Sequence, residues 1–145
     1  MDLFTSMQTS STALTAERTR MNLVSSNLAN ANTTRTSEGG PYRRKDAVFT
    51  ATPVPGGFGS TLDRAAREQI RQVTVTEIRE DQKPPRMQFD PSHPDADQQG
   101  YVAMPNVNVV EEMADMMSAS RAFQTNVEMM NTAKQMMQRV LTLGQ

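Results

Sequence analysis

From Val109 to Leu143 the chain runs without a glycine or a proline, and its apolar residues recur at alternating steps of three and four. One heptad position holds Val109, Met116, Phe123, Met130 and Met137; the position four residues on holds Met113, Ser120, Val127, Lys134 and Leu141. That spacing lines one seam of an α-helix, as in a coiled coil. Glu111, Glu112 and Asp115 near its start, and Lys134 and Arg139 near its end, suit the helix macrodipole. A helix of about 35 residues is about 50 Å long, well beyond the usual globular helix. It needs a long partner.

The partner lies at the other end of the chain. Met7, Leu14, Met21 and Leu28 fall at steps of seven, flanked by Phe4, Ala13, Val24 and Ala31. Ser, Thr, Gln, Asn and Arg fill the intervals, so the stripe is narrow and the helix intrinsically weak. Two readings are open: an antiparallel pair inside one chain, or a pair whose seams also pack between subunits. The first helix should stop near Ala31 to Thr36, where Asn30, Asn32, Thr33 and Thr34 compete for backbone hydrogen bonds.

Between the helices the composition shifts. Glu38-Gly39-Gly40-Pro41 marks a turn, and Tyr42 to Ala51 reads as a strand. Pro53 to Ser60 is a Pro/Gly connection, and Thr61 to Glu68 a charged short helix or ordered loop. The β-branched alternation Gln72-Val73-Thr74-Val75-Thr76 makes Ile70 to Ile78 the clearest strand. Met87-Gln88-Phe89 and Tyr101 to Met104 are shorter extended pieces, and Asn106 or Asn108 is the N-cap of the long helix. The expectation is an α+β chain. Segments 1–34 and 106–145 supply a coiled-coil helix pair, and 35–105 a small β-rich middle.

Composition narrows the function classes. Hydrophobic content is 37%, aromatic content 5%, and mean hydropathy −0.59, which is thin material for a compact core. Seven of the twelve methionines lie between Met113 and Met137, and flexible thioether side chains suit a surface that must fit several neighbours. A net charge of −1 gives no electrostatic case for nucleic acid or an anionic membrane. The absence of cysteine excludes disulfides and thiolate metal sites. Met1 to Met7 has neither a basic stretch nor a continuous apolar run, so it does not read as a Sec signal, and no segment reaches transmembrane length.

The motifs that could carry chemistry each have a plainer reading. Asp90-Pro91-Ser92-His93-Pro94-Asp95-Ala96-Asp97 gathers one His and three carboxylates. Asp95, Asp97, Gln99 and Gly100 match the first, third, fifth and sixth places of an EF-hand loop. Its twelfth place is Asn106, however, where a bidentate Glu is needed, and Pro94 denies it an entering helix. Proline and Asx-type turns explain the stretch better. Gly56-Gly57-Phe58-Gly59 is a linker by composition, and Arg43-Arg44-Lys45 reads as a solvated strand edge. No Gly-x-Ser-x-Gly turn, paired carboxylate on a rigid element or phosphate loop is present. The expected catalytic, cofactor and metal sites are therefore none.

One motif is specific. Ser25-Ser26-Asn27-Leu28-Ala29-Asn30-Ala31-Asn32-Thr33 resembles the Ser-Asn-Leu-Ala-Asn signature near the N-terminus of bacterial flagellar rod and hook proteins. Gly40 to Lys45, Asp90 to Asp97, Gly100 to Met113 and Asn131 to Met137 are similar to the proximal-rod branch of that family. The resemblance implies a structural subunit whose terminal helices form an inner coiled-coil tube, with the middle region outside it. It also implies passage through the flagellar type III export apparatus without signal cleavage, and residence in the basal-body rod that transmits torque to the distal rod and hook. Its partners would be copies of itself, other rod subunits and proteins at the junction with the MS ring, with no nucleic acid and no membrane span. The seam residues Met7, Leu14, Met21, Leu28, Val109, Met113, Met116, Phe123, Val127, Met130 and Met137 would then be assembly contacts. The family motif comprises Ser26, Asn27, Leu28, Ala29, Asn30 and Asn32; from their residue chemistry, Asn27, Leu28, Asn30 and Asn32 would end the first helix and fix the chain's exit. The alternative is a cytosolic helical adaptor or chaperone that grips one flagellar type III export client with its amphipathic ends.

Overall fold

The computed structural model describes residues 3–53 and 71–143. The expected charged helix or loop at Thr61 to Glu68, and nearly all of the Pro/Gly connection before it, lie outside the described residues. The element order is α1 (Leu3–Ala29), β1 (Lys45–Pro53), β2 (Arg71–Glu80), β3 (Arg86–Phe89), β4 (Tyr101–Met104) and α2 (Val109–Leu143).

Both helices are held by packing against each other, while several of their polar side chains bond locally. In α1, Thr12, Thr15 and Thr19 donate their hydroxyls to the carbonyls of Thr9, Ser11 and Thr15. The hydroxyls therefore satisfy themselves on the helix surface. In α2 the N-cap is Asn108, whose Oδ1 accepts the Val110 amide at 3.1 Å while its carbonyl accepts the Glu112 amide. The two helices run antiparallel. Arg20 meets Asp115 and Asn27 meets Glu112, so advancing along α1 means retreating along α2.

The helix contact is close because small residues line it. Ser10 and Ala16 of α1 and Ala119 and Ala133 of α2 are buried, with Val24 beside them. Among the described residues eight apolar side chains are buried, and four of these are alanine. A fully buried Leu or Phe contributes about 1.5–3 kcal/mol and an alanine far less, so this core is thin.

The first helix ends at Ala29, slightly before the expected stop. Asn30 donates both its backbone amide, at 3.1 Å, and its side-chain amide, at 2.9 Å, to the Ser26 carbonyl, doubling the hydrogen bond at the helix end. The Ala31 and Thr33 amides then bond Leu28 and Asn30, and Tyr42 returns to Thr33. Gly39 and Gly40, both at positive φ, turn the chain back through a Thr36–Gly40 hydrogen bond. Tyr42 is spent on α1, so the strand begins at Lys45 rather than Tyr42.

The middle region is two separate antiparallel ribbons, β1–β2 and β3–β4. The first has a bulge between Val48 and Phe49 and packs on α1. Thr50 and Thr52 exchange hydroxyl bonds with Thr76 and Thr74 across its exposed face, at 3.1 and 3.2 Å. The second ribbon is closed by the Asp90–Gly100 loop. Gly100 sits at φ +84 with the Phe89 ring 3.0 Å from where a Cβ would stand, so both its conformation and its space require glycine.

Candidate assembly surfaces and the buried network behind them

Asn27 is the central polar tie between the middle region and the helix pair. Asn27 is fully buried and uses both amide protons and both oxygen lone pairs. Its Nδ2 donates to the Lys45 carbonyl at 2.9 Å and to Glu112 Oε2 at 3.0 Å. Its Oδ1 accepts the Tyr42 hydroxyl and the Lys45 amide, each at 2.9 Å. One side chain thus joins α1, the start of β1 and α2. The Tyr42 hydroxyl also lies 3.3 Å from Ser26 Oγ, and the Tyr42 ring packs with Ala31 and Val107.

Glu112 is 1% exposed, yet it is paired. Arg44 Nε donates to its Oε1 at 2.6 Å, and the same guanidinium approaches Asp115 at 3.7 Å and Asp46 at 3.4 Å. Arg20 completes the chain with a 3.0 Å bond to Asp115. Burial depresses the Arg44 pKa, but the hydrogen bond and charge of Glu112, joined by Asp46, more than offset it, so the group stays above its ordinary value. The network is therefore a satisfied ionic and amide cluster, costly to break one member at a time.

Two expectations change here. Arg44 is not part of a solvated strand edge; the buried Glu112 carboxylate draws it inward. Glu112 and Asp115 do more than complement the helix dipole, since both are held by arginines from other elements.

The seam residues separate into rows. On α2 the half-buried row is Met116, Phe123, Met130 and Met137, alongside buried Glu112, Ala119 and Ala133. The centre of the contact with α1 thus lies three residues after the first heptad row, not four. Val127 is half-buried on the flank, while Val109 and Met113 are exposed. On α1, Met7, Leu14, Met21 and Leu28 are all half-buried and border the more buried line through Ser10, Val24 and Asn27. Of the motif residues, Ser26 and Asn30 serve the helix end and Asn27 the network. Ala29 and Asn32 are exposed, and Asn32 lines an open cleft with Arg86 and Asn106.

What remains outside the pair is unusually apolar. Val110, Met113, Met117, Met129, Met136, Val140 and Leu141 of α2 are exposed, as are Met87, Phe89 and Tyr101 of the second ribbon. The Phe89 and Tyr101 rings meet edge to face at 5.3 Å, forming a small aromatic ledge. Contiguous exposed apolar side chains are a feature that interaction surfaces share. Among the described residues no helix is long and apolar enough to cross a membrane.

The acidic loop is occupied by its own backbone. Asp90 Oδ1 accepts the Ser92 amide and hydroxyl, and Asp97 Oδ1 accepts the amides of Gln99 and Tyr101. Asp95 takes the Thr34 hydroxyl, and His93 Nδ1 takes the Asp95 amide. No group of three or more potential ligands converges among the described residues. The Ser92 bonds hold the Asp90 carboxyl below the ordinary range.

Two known families match the two ends of the chain. Residues 7–35 match the family described as flagella basal body rod protein, and residues 98–143 match the C-terminal region of the flagellar basal body rod FlgEFG proteins. The class is therefore that of flagellar basal-body rod proteins. Over 154 aligned residues the chain is 42% identical to the flagellar basal-body rod protein FlgC of Borreliella burgdorferi, covering 100% of this chain and 99% of that one. The FlgC of Escherichia coli is 45% identical over 92% of this chain and 91% of its own length, and that of Bacillus subtilis 39% identical over 99% of each. The chain belongs to the FlgC family of flagellar basal-body rod proteins.

Proposed function

We propose that this chain is a structural subunit of the bacterial flagellar basal-body rod, resident in the shaft that carries torque from the motor to the distal rod and hook. The observation that carries the reading is the full-length similarity to rod proteins, joined to helices whose outer faces are apolar and unpartnered. The mechanism is packing. Each subunit presents Val110, Met113 and Met117 on one side of α2 and Met129, Met136 and Val140 on another. Different faces meet different neighbours, as an open helical assembly requires. On α1 the row Met7, Leu14, Met21 and Leu28 is half-buried and offers its remaining surface to neighbours. Torque is resisted because the Asn27–Glu112–Arg44 network prevents the middle region from shearing off the helix pair. Copies of the chain, other rod subunits and proteins at the MS-ring junction are its neighbours in this reading. A thin core suits passage through the flagellar type III apparatus as an unfolded chain, since little burial must be undone.

Deletion of the gene tests the proposal. The null strain should be non-motile and lack hooks, because distal rod and hook have no base to grow on, and the intact gene should restore both. A motile, hook-bearing null strain would overturn it.

A further inference from the structure

We propose that Met113, Met117, Met129 and Met136 of α2 are an oxidation-sensitive site of the unassembled subunit that assembly closes. The inference rests on the rod reading above. These four residues are 54%, 57%, 54% and 47% exposed, whereas Met116, Met130 and Met137 on the same helix are half-buried. Met113 and Met117 stand one turn apart and Met129 and Met136 two turns apart, so each pair shares a face. Each pair also lies in an apolar row, with Val110 in the first and Val140 in the second. The side chains that supply packing area on α2 are thus also that helix's most exposed methionines.

The chemistry is self-contained. The thioether sulfur attacks one peroxide oxygen, the O–O bond breaks, the sulfur becomes a sulfoxide, and water leaves with the second oxygen. The sulfur is oxidised by two electrons and the peroxide is reduced by two. The product is polar and chiral, and methionine sulfoxide reductases can reverse it. A sulfoxide oxygen is an acceptor that a dry helix interface would leave unpaired, which opposes burial. Oxidation therefore withholds the free subunit from assembly, and a subunit already packed in the rod escapes it.

The test uses the full chain and hydrogen peroxide. Purified subunit is treated briefly, and sulfoxide is located by peptide mass spectrometry; the same dose is given to washed hook–basal bodies. Met113, Met117, Met129 and Met136 should oxidise ahead of Met116, Met130 and Met137 in the free subunit and be protected in the particles. For a variant with Met→Leu at the four positions, a nearly volume-conserving change, motility after a peroxide pulse is read relative to the same strain untreated, and that ratio should recover in the variant after a pulse that stops the wild type. Met87→Leu, on the second ribbon, should give no such resistance. Equal oxidation of the four in free subunit and particles, or a Leu variant no more resistant than wild type, would overturn the inference and leave the rod reading intact. Absence of the chain from the particles would instead overturn the rod reading, and the inference with it.

Discussion

Asn27→Asp exchanges one NH2 group for one oxygen and leaves the shape nearly unaltered. The side-chain oxygen that accepts Tyr42 and Lys45 can stay, but the atom facing Glu112 Oε2 at 3.0 Å and the Lys45 carbonyl at 2.9 Å is no longer a donor. Two carboxylates at that separation repel by about 5 kcal/mol at an effective dielectric near 20. Arg44 is already committed to Glu112 and offers only partial relief. The pair escapes by sharing a proton, so the folded pKa of the introduced carboxyl rises above the unfolded value of about 3.9. The folded variant then binds a proton that the unfolded chain has released, so its stability rises as pH falls from the folded pKa toward the unfolded one. Asparagine does not titrate, so subtracting the wild-type curve isolates the effect. Urea unfolding followed by helical circular dichroism should show the variant about 3–5 kcal/mol less stable at pH 8, against a total stability of order 5–15 kcal/mol. The gap should narrow steadily toward about pH 5. Asn27→Ala should lose a comparable amount with no such narrowing, because it strands buried partners without adding a charge. A gap for Asn27→Asp that is absent, or constant with pH, would refute the assignment of Asn27 as a buried donor to Glu112.

Other expectations are more direct. Asn108→Ala should cost about 1 kcal/mol in the same unfolding assay, the usual worth of an N-cap side chain. Phe123→Asp places a carboxylate in the helix contact and should eliminate rods, read by electron microscopy of basal bodies; normal rods would show that this row is not needed. His93→Ala should leave stability and motility unchanged, and calorimetric titration with calcium or zinc should show no binding at the Asp90–Asp97 loop. In hydrogen exchange, amides near the two termini of the free subunit should exchange fast, those around Asn27 and Glu112 slowly, and assembly should protect both. Slow exchange throughout the free subunit would contradict a weakly held pair.

Much of the fold was legible because its periodicities are local. The span of α2 could be read from an unbroken heptad between Asn108 and Gly144, and β2 from its β-branched alternation. The row Met116, Phe123, Met130, Met137 was legible for the same reason. Its companion row was not, because it consists of Glu112, Ala119, Asn126 and Ala133, residues that hydropathy does not mark as interior. Alanine matters there for closeness of approach rather than for apolar area. Asn27 sat inside a recognisable motif, but its burial depends on Lys45, Tyr42 and Glu112, up to 85 residues away along the chain. Tertiary partners of a polar residue leave no periodic trace. Ala119 and Ala133, two heptads apart in one row, are the signal in the sequence that could have exposed it.

The central claim is residence in the rod, and the most direct measurement is the protein content of hook–basal bodies purified through detergent and high-salt washes. The account predicts that the intact chain remains with the particles after every wash and is released only when the rod itself comes apart. Recovery of the chain solely from the cytosol, bound to an export client, would contradict it and make the helical ends the gripping surfaces of an adaptor.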